Sequence, residues 1–317
     1  MTYQARRLLT LAGLVATLVI TAACSTNGGT HLTAPPPPPP SGVAGPRLYA
    51  GNVDVKSVTV FQGPFSASSA AVGSIALTIA SSGIAVDPTD ATGAVYVSNS
   101  NAGVGQILKF ARPNPNGAAP TVMVSGIQSP GAINFDSSGN LYVPDMTAKQ
   151  IFVINHPITG ASVPSALITS GLNDPQCVAL DSNNTLYVVD IRNGANVLYA
   201  YAPPYTSAPV STSLSIGEPG VCTYDRAENT LFIGSIDAGN SILGFALPLS
   251  ANESPSVTLT TATCCPGGIA FDSSGDAFIS LGVDLPSTIA VAIPPFTGSS
   301  NFIFPSADYV RQLAFGP

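Results

Sequence analysis

The chain has 317 residues, of which only 9% are charged, while 30 are glycine and 29 are proline. A helical protein needs Lys, Glu and Arg along its solvent faces, so this profile points to many short strands joined by turns. Without residues 1–23 the chain carries 8 basic and 17 acidic side chains, a net charge of −9; that excludes nucleic acid, which is held by clustered Lys and Arg.

Met1–Arg7 is short and basic, and Leu8–Ala23 is a run without charge that ends in small residues before Cys24. This is the order of an export signal. The run falls short of the ~20 apolar residues that span a bilayer, which disfavours an uncleaved transmembrane anchor. Thr21-Ala22-Ala23-Cys24 resembles the bacterial lipobox, although leucine is more usual at the place of Thr21. The resemblance implies that residues 1–23 are removed and that Cys24 is acylated (palmitate) as the new N-terminus. Two or more acyl chains anchor a protein stably, since each buried methylene contributes about 0.8 kcal/mol. The membrane is then a partner and Cys24 its attachment point. The expected location is the extracytoplasmic cell envelope, with Ser25 directing the chain to an outer membrane in a diderm cell. A free secreted form is the alternative.

Residues 24–45 hold the acylated cysteine and a tether without apolar periodicity. Its Pro35–Pro40 run suits polyproline II, extended at ~3.1 Å per residue. It reads as a spacer that keeps a folded domain clear of lipid, in preference to a recognition ligand.

Residues 46–317 repeat. SPGAINFDSSGNLYVPD (Ser129–Asp145) is matched by DPQCVALDSNNTLYVVD (Asp174–Asp190), EPGVCTYDRAENTLFIGS (Glu218–Ser235), CPGGIAFDSSGDAFIS (Cys265–Ser280) and SSGIAVDPTDATGAVYVS (Ser81–Ser98). Asp87, Asp136, Asp181, Asp225 and Asp272 recur at intervals of 44–49 residues, the period of propeller blades. In the Asp136 unit four strands are predicted, at Gly131–Asp136, Asn140–Asp145, Gln150–Asn155 and Ser165–Ser170. Gly139 supplies the left-handed turn between the first two. One and three places before each aspartate lie bulky residues such as Phe135 and Ile133. The place between them is often small, as with Ala85, Ala179 and Ala270, a pattern suited to inner strands that converge on an axis.

The end of the chain, Gln312–Gly316, matches an inner strand, and Pro46–Ala50 matches a second strand. The C-terminal strand therefore completes the first blade and closes the ring, which removes exposed edges. The fold class is all-β, a six-bladed β-propeller. The pattern P-x-G-x-A-x-D-x-x-G-x-L-Y-V-x-D resembles NHL-repeat propellers and, more loosely, gluconolactonase-like six-bladed propellers, over essentially all of 46–317. That resemblance implies either a binding scaffold or an enzyme.

Histidine is nearly missing: His31 lies in the tether and His156 at the end of a third strand, away from the axis. This disfavours His-based hydrolysis and a histidine zinc site. Asp145 and Asp190, with Asn52, Asn99 and Ser235, end second strands, while Gln176 and Arg311 enter inner strands. All fall on one face, so Asp145, Asp190, Gln176 and Arg311 are the candidate ligand contacts at a channel mouth, for a protein or a small molecule. Asp145 and Asp190 also read as turn-capping acids. No cofactor is expected; Ca²⁺ is the one ion such oxygens suit. Gluconolactonase-like enzymes hold a channel metal with Glu, Asn and Asp. Here no glutamate stands at an inner-strand entry, the nearest, Glu218, falling in the preceding loop. A scaffold is therefore the preferred function and a metal-dependent lactonase the alternative, with a monomer expected.

After acylation of Cys24 four cysteines remain, Cys177, Cys222, Cys264 and Cys265, an even number in an oxidising compartment. Cys177 is four places before its aspartate and Cys222 three, so they point to opposite faces of inner strands in adjacent blades. A bridge across the blade interface fits that parity. Cys264 and Cys265 would then pair with each other, or one of them would bond Cys222.

Overall fold

The computed structural model describes residues 45–316, apart from 92, 102, 111–118, 193–194, 236–240, 262–265, 283–286, 295, 297–300 and 307–308. The signal segment, Cys24, the proline run, Cys264 and Cys265 lie outside the described residues. Residues 43–317 form one compact unit.

Every element among the described residues is a strand, in six four-stranded sheets. Blade 1 holds β1 (Arg47–Asn52), β2 (Ser57–Gln62) and β3 (Ala71–Ala76), and blade 2 holds β4 (Ser81–Val86), β5 (Val95–Asn101), β6 (Val104–Phe110) and β7 (Val122–Ile127). Blade 3 runs β8 (Asn134–Phe135), β9 (Leu141–Asp145), β10 (Gln150–Ile154) and β11 (Ser165–Ile168). Blade 4 runs β12 (Pro175–Leu180), β13 (Leu186–Asp190), β14 (Asn196–Tyr201) and β15 (Val210–Leu214). Blade 5 comprises β16 (Pro219–Asp225), β17 (Thr230–Ser235), β18 (Ser241–Ala246) and β19 (Val257–Thr260). Blade 6 comprises β20 (Ile269–Phe271), β21 (Ala277–Leu281), β22 (Thr288–Ala292) and β23 (Phe302–Pro305). The last strand, β24 (Val310–Gly316), returns to blade 1 and pairs antiparallel with β1, Tyr49 opposite Ala314. The predicted closure is present.

Alternation along each strand builds the core. In β1, Leu48 and Ala50 pack toward blade 6, while Tyr49 between them packs toward blade 2. Six apolar clusters result, one at each interface between neighbouring blades. Outermost strands are half open, as in β3, where Ile75 alone is buried.

The repeat aspartates tie the first turn of blades 2 to 6. Asp136 Oδ1 accepts from the amides of Ser138 and Asn140, and Asp181 Oδ1 from those of Asn183 and Thr185. Asp87, Asp225 and Asp272 accept from Thr89, Ala227 and Ser274 in the same way. Gly139 has φ +83° beside this turn, a conformation that favours glycine.

β8 is shorter than the predicted Gly131–Asp136. Its first half leans on the next blade instead: Ala132 N donates to Gln176 O at 2.9 Å and Val178 N to Ala132 O at 3.3 Å, a parallel bridge between Ala132 and Cys177. A Cβ at Gly131 would collide with the Gln176 carbonyl oxygen, so glycine is what lets the two backbones meet.

Candidate functional site

The inner strands converge on an axial channel of about 200 Å³, lined by β4, β16, β20, β24 and the Ala132–Asn134 stretch. Its walls are mostly aliphatic, Ile84, Ile133, Val221 and Ile269 among them. Tyr224 is the one ionisable side chain in the lining, and its hydroxyl donates to Asn229 Oδ1. A channel lined by these side chains offers no charge to a substrate. The charged side chains belong to the rim.

Two blades are laced together at the axis by covalent bonding. Cys177 on β12 and Cys222 on β16 form a disulfide with Cα atoms 5.9 Å apart. The bridge joins inner strands of adjacent blades, as the face parity predicted.

Second strands end where the repeat placed them at Asn52, Asp145, Asp190 and Ser235, whereas β5 runs past Asn99 to Asn101 because its ladder with β6 continues there. Asp145 is 0% exposed and its carboxylate accepts four backbone amides: Gln128 at 2.7 Å, Ser129 at 3.1 Å, Thr147 at 3.1 Å and Ala148 at 3.0 Å. Those amides precede the inner strand and follow the second, so one side chain fastens both loops. Asp190, also 0% exposed, accepts from the amides of Asn173 and Asp174 and from Arg192 Nε at 2.9 Å. Both acids face the chain rather than the channel mouth. The turn-capping reading describes their geometry.

Blades 1 and 2 carry amides at the same position, with a different outcome. Asn52 Nδ2 donates to Ser57 Oγ and Thr59 Oγ1, while its Oδ1 has no partner. Asn99 is buried with both amide atoms unpaired, and Ser81, opposite it across the β4–β5 ladder, has an unpaired buried Oγ. A buried polar atom left unpaired costs about 1–3 kcal/mol, so this corner suits a water or a small polar group. It has the donors and acceptors for hydrogen bonding, and no carboxylate.

Gln176 lies on β12 as expected, buried, its Nε2 donating to Asp174 Oδ1 at 2.8 Å. Asp174 is half-buried; burial raises its pKa first, and the charge of Asp190 raises it further. Arg311 is the second residue of β24, its backbone packed against Gly267 of blade 6. Thus Asp190, Asp174 and Gln176 gather on blade 4, Asp145 stands on blade 3, and Arg311 belongs to blade 1. No group of three or more His, Cys, Asp or Glu among the described residues is arranged to hold a metal ion. His156 sits beside Thr89 at 3.5 Å, on the side of the Asp136 turn.

One feature at the rim escapes a repeat-based reading. Arg192, beyond the end of β13, places its guanidinium over the Tyr199 ring at 5.5 Å, and Tyr199, Tyr201 and Tyr205 line an open cleft nearby. The sequence signal was the alternation Leu198-Tyr199-Ala200-Tyr201, which puts both tyrosines on one face of β14.

No protein-family model matches the sequence, and no curated protein matches it. Solved structures do. A chain in a nidogen/laminin complex superposes with a TM-score of 0.67 at 15% identity, covering 86% of this chain and 99% of that one. A Bacteroides caccae protein of unknown function gives 0.61 at 11% identity over the same shares. Kuenenia stuttgartiensis hydrazine synthase gives 0.51 at 17% identity, covering 76% of this chain and 72% of that one. At these identities the likeness is one of fold.

Proposed function

We propose that the chain is a lipid-anchored, extracytoplasmic propeller of the NHL-like kind that serves as a binding scaffold. The observation that carries this reading is the state of the rim acids. A metal-dependent hydrolase needs carboxylate oxygens free to ligate an ion, whereas Asp145 holds four amides and Asp190 two amides and a guanidinium. Recognition by hydrogen bonding needs donors and acceptors, and Gln176 and the unpaired atoms of Ser81 and Asn99 supply neutral ones, with Arg311 as a charged donor. The anchor rests on the order of Met1–Arg7, the charge-free run to Ala23 and Cys24, with the proline run behind it as a spacer.

Two measurements test the reading. Labelled palmitate should enter the wild-type chain and not Cys24→Ala, which should leave the membrane fraction; equal labelling of both overturns the anchor. Calorimetry with Ca²⁺ should give no stoichiometric binding, lactones should not be hydrolysed, and Asp145→Ala and Asp190→Ala should lower the melting temperature. The scaffold reading fails if a lactonase activity is found that either variant abolishes at an unchanged melting temperature.

A further inference from the structure

The Cys177–Cys222 disulfide ties β12 to β16 and packs in the apolar cluster between blades 4 and 5. Its two halves stand differently toward the axial channel. Cys222 belongs to the channel wall, with Val221 and Thr223 on either side of it. Cys177 is 0% exposed, and among the described residues β12 contributes nothing to the lining. The Ala132–Asn134 stretch takes its place there, because Ala132 is paired with Cys177 by the parallel bridge. Blade 3 thus covers the bond on the β12 side and leaves the β16 side to the axis.

The channel suits a small polar molecule. The inner strands β4, β16, β20 and β24 are each terminal in their sheets, so one edge of backbone N–H and C=O groups in each is left to the channel and can hydrate what enters. No charged side chain lies in the lining among the described residues, so an anion meets no fixed charge of its own sign. A volume of about 200 Å³ holds a thiol of about four or five heavy atoms, at about 30 Å³ for each water-sized group displaced. A peptide thiol of about twenty heavy atoms, such as glutathione, does not fit by the same measure.

Thiol–disulfide exchange begins when a thiolate attacks one sulfur and expels the other. From the channel the sulfur approached is Cys222 Sγ, and the expelled Cys177 sulfur lies behind it in the blade interface. We propose that Cys222 is a thiol-exchange site served by the axial channel, its reactant a small aliphatic thiol. The bond formed joins the reactant sulfur to Cys222 Sγ, and the bond broken is the one between Cys177 Sγ and Cys222 Sγ. The departing Cys177 thiolate takes up the proton that the reactant lost, so there is no net oxidation. The substituent then occupies the channel. The seam of blades 4 and 5 is left to its apolar cluster, while the closure of β24 on β1 is untouched.

The test uses residues 43–317, one compact unit that carries every strand and the ring closure. Free thiols are first blocked by alkylation, and the native protein is then incubated briefly with 2-mercaptoethanol and quenched in acid. The released thiol is labelled after unfolding with a second alkylating reagent of different mass. Peptide mass mapping should place the hydroxyethylthio group on Cys222 and the second label on Cys177. At equal thiolate concentration glutathione should react at least about tenfold more slowly, since access limits it. The rate with 2-mercaptoethanol should change less than about twofold in urea below the unfolding transition, because any opening that exposes buried surface accelerates with denaturant. Attachment to Cys177, or to both sulfurs equally, overturns the assignment, as does a bond that exchanges only in unfolding urea. Equal rates for the two thiols, or a steep rise with urea, overturn the channel as the route.

Discussion

Asp136, Asp181 and Asp225 hold one position of the repeat, yet only the first two have both carboxylate oxygens satisfied. Tyr142 donates to Asp136 Oδ2 at 3.4 Å and Tyr187 to Asp181 Oδ2 at 3.2 Å. In blade 5 the equivalent of those tyrosines is Phe232, paired with Thr223 as Tyr187 is with Ala179. Asp225 Oδ2 is consequently buried and unpaired, and the residue is 1% exposed. Burial raises its pKa above the ordinary carboxylate value of 3.8. A raised carboxylate pKa in the folded state means the group favours folding at low pH and opposes it as pH rises through the folded value. Phe232→Tyr keeps the ring between Phe271 and Phe296 and adds the missing donor. It should stabilise the protein by about 1 kcal/mol at pH 7 and by less at pH 3, where Asp225 is protonated; urea unfolding at both values checks this. An equal gain at the two values, or none at pH 7, removes the phenol from the account.

At the scale of elements, the inner strands show what periodicity reveals and what it hides. The aspartate period located five blades and the matching chain ends the sixth, and counting back from the aspartates put Cys177 and Cys222 on facing sides of neighbouring strands. Both inferences are local counts, and both hold. The shortening of β8 was not legible, because it depends on a neighbour 45 residues later whose backbone captures Ala132. Turn capping by Asp145 and Asp190 was legible, but its extent was not: the four amides on Asp145 come from two loops that the period places near it without orienting them. The tyrosine cleft was hidden for the same reason, its walls belonging to two blades. The disulfide has a consequence that can be measured. Cross-links across about 45 residues stabilise by roughly 4 kcal/mol when the effect is unfolded-chain entropy. Cys177→Ala/Cys222→Ala should lose most of that in urea unfolding, and wild type refolded under reductant should match it. Full stability in the double variant would show that the apolar cluster between blades 4 and 5 suffices alone.

The ring as a whole depends on one contact between distant parts of the chain. β24 pairs with β1 along Arg47–Asn52, and Phe315 brings an aromatic edge to Phe278 at 4.8 Å and Phe65 at 5.8 Å. Through these rings blade 1 meets blade 6, where Phe61 and Phe304 continue the cluster at 5.2 Å. Deleting residues 310–317 leaves β1 with an open edge and uncovers the blade 6 face, so it should abolish the cooperative transition and promote aggregation. If closure acts through contact, covalent order is secondary. Gly316 and Arg47 are register partners, so a two-residue Asn-Gly link joins them as a hairpin. New ends can be cut after Gly160, an exposed position between β10 and β11. This permutant retains all six sheets and should melt cooperatively within a few degrees of the parent. A permutant that fails to fold beside a deletion variant that does would place the stability of the ring in chain order; the opposite result places it in the pairing of β24 with β1.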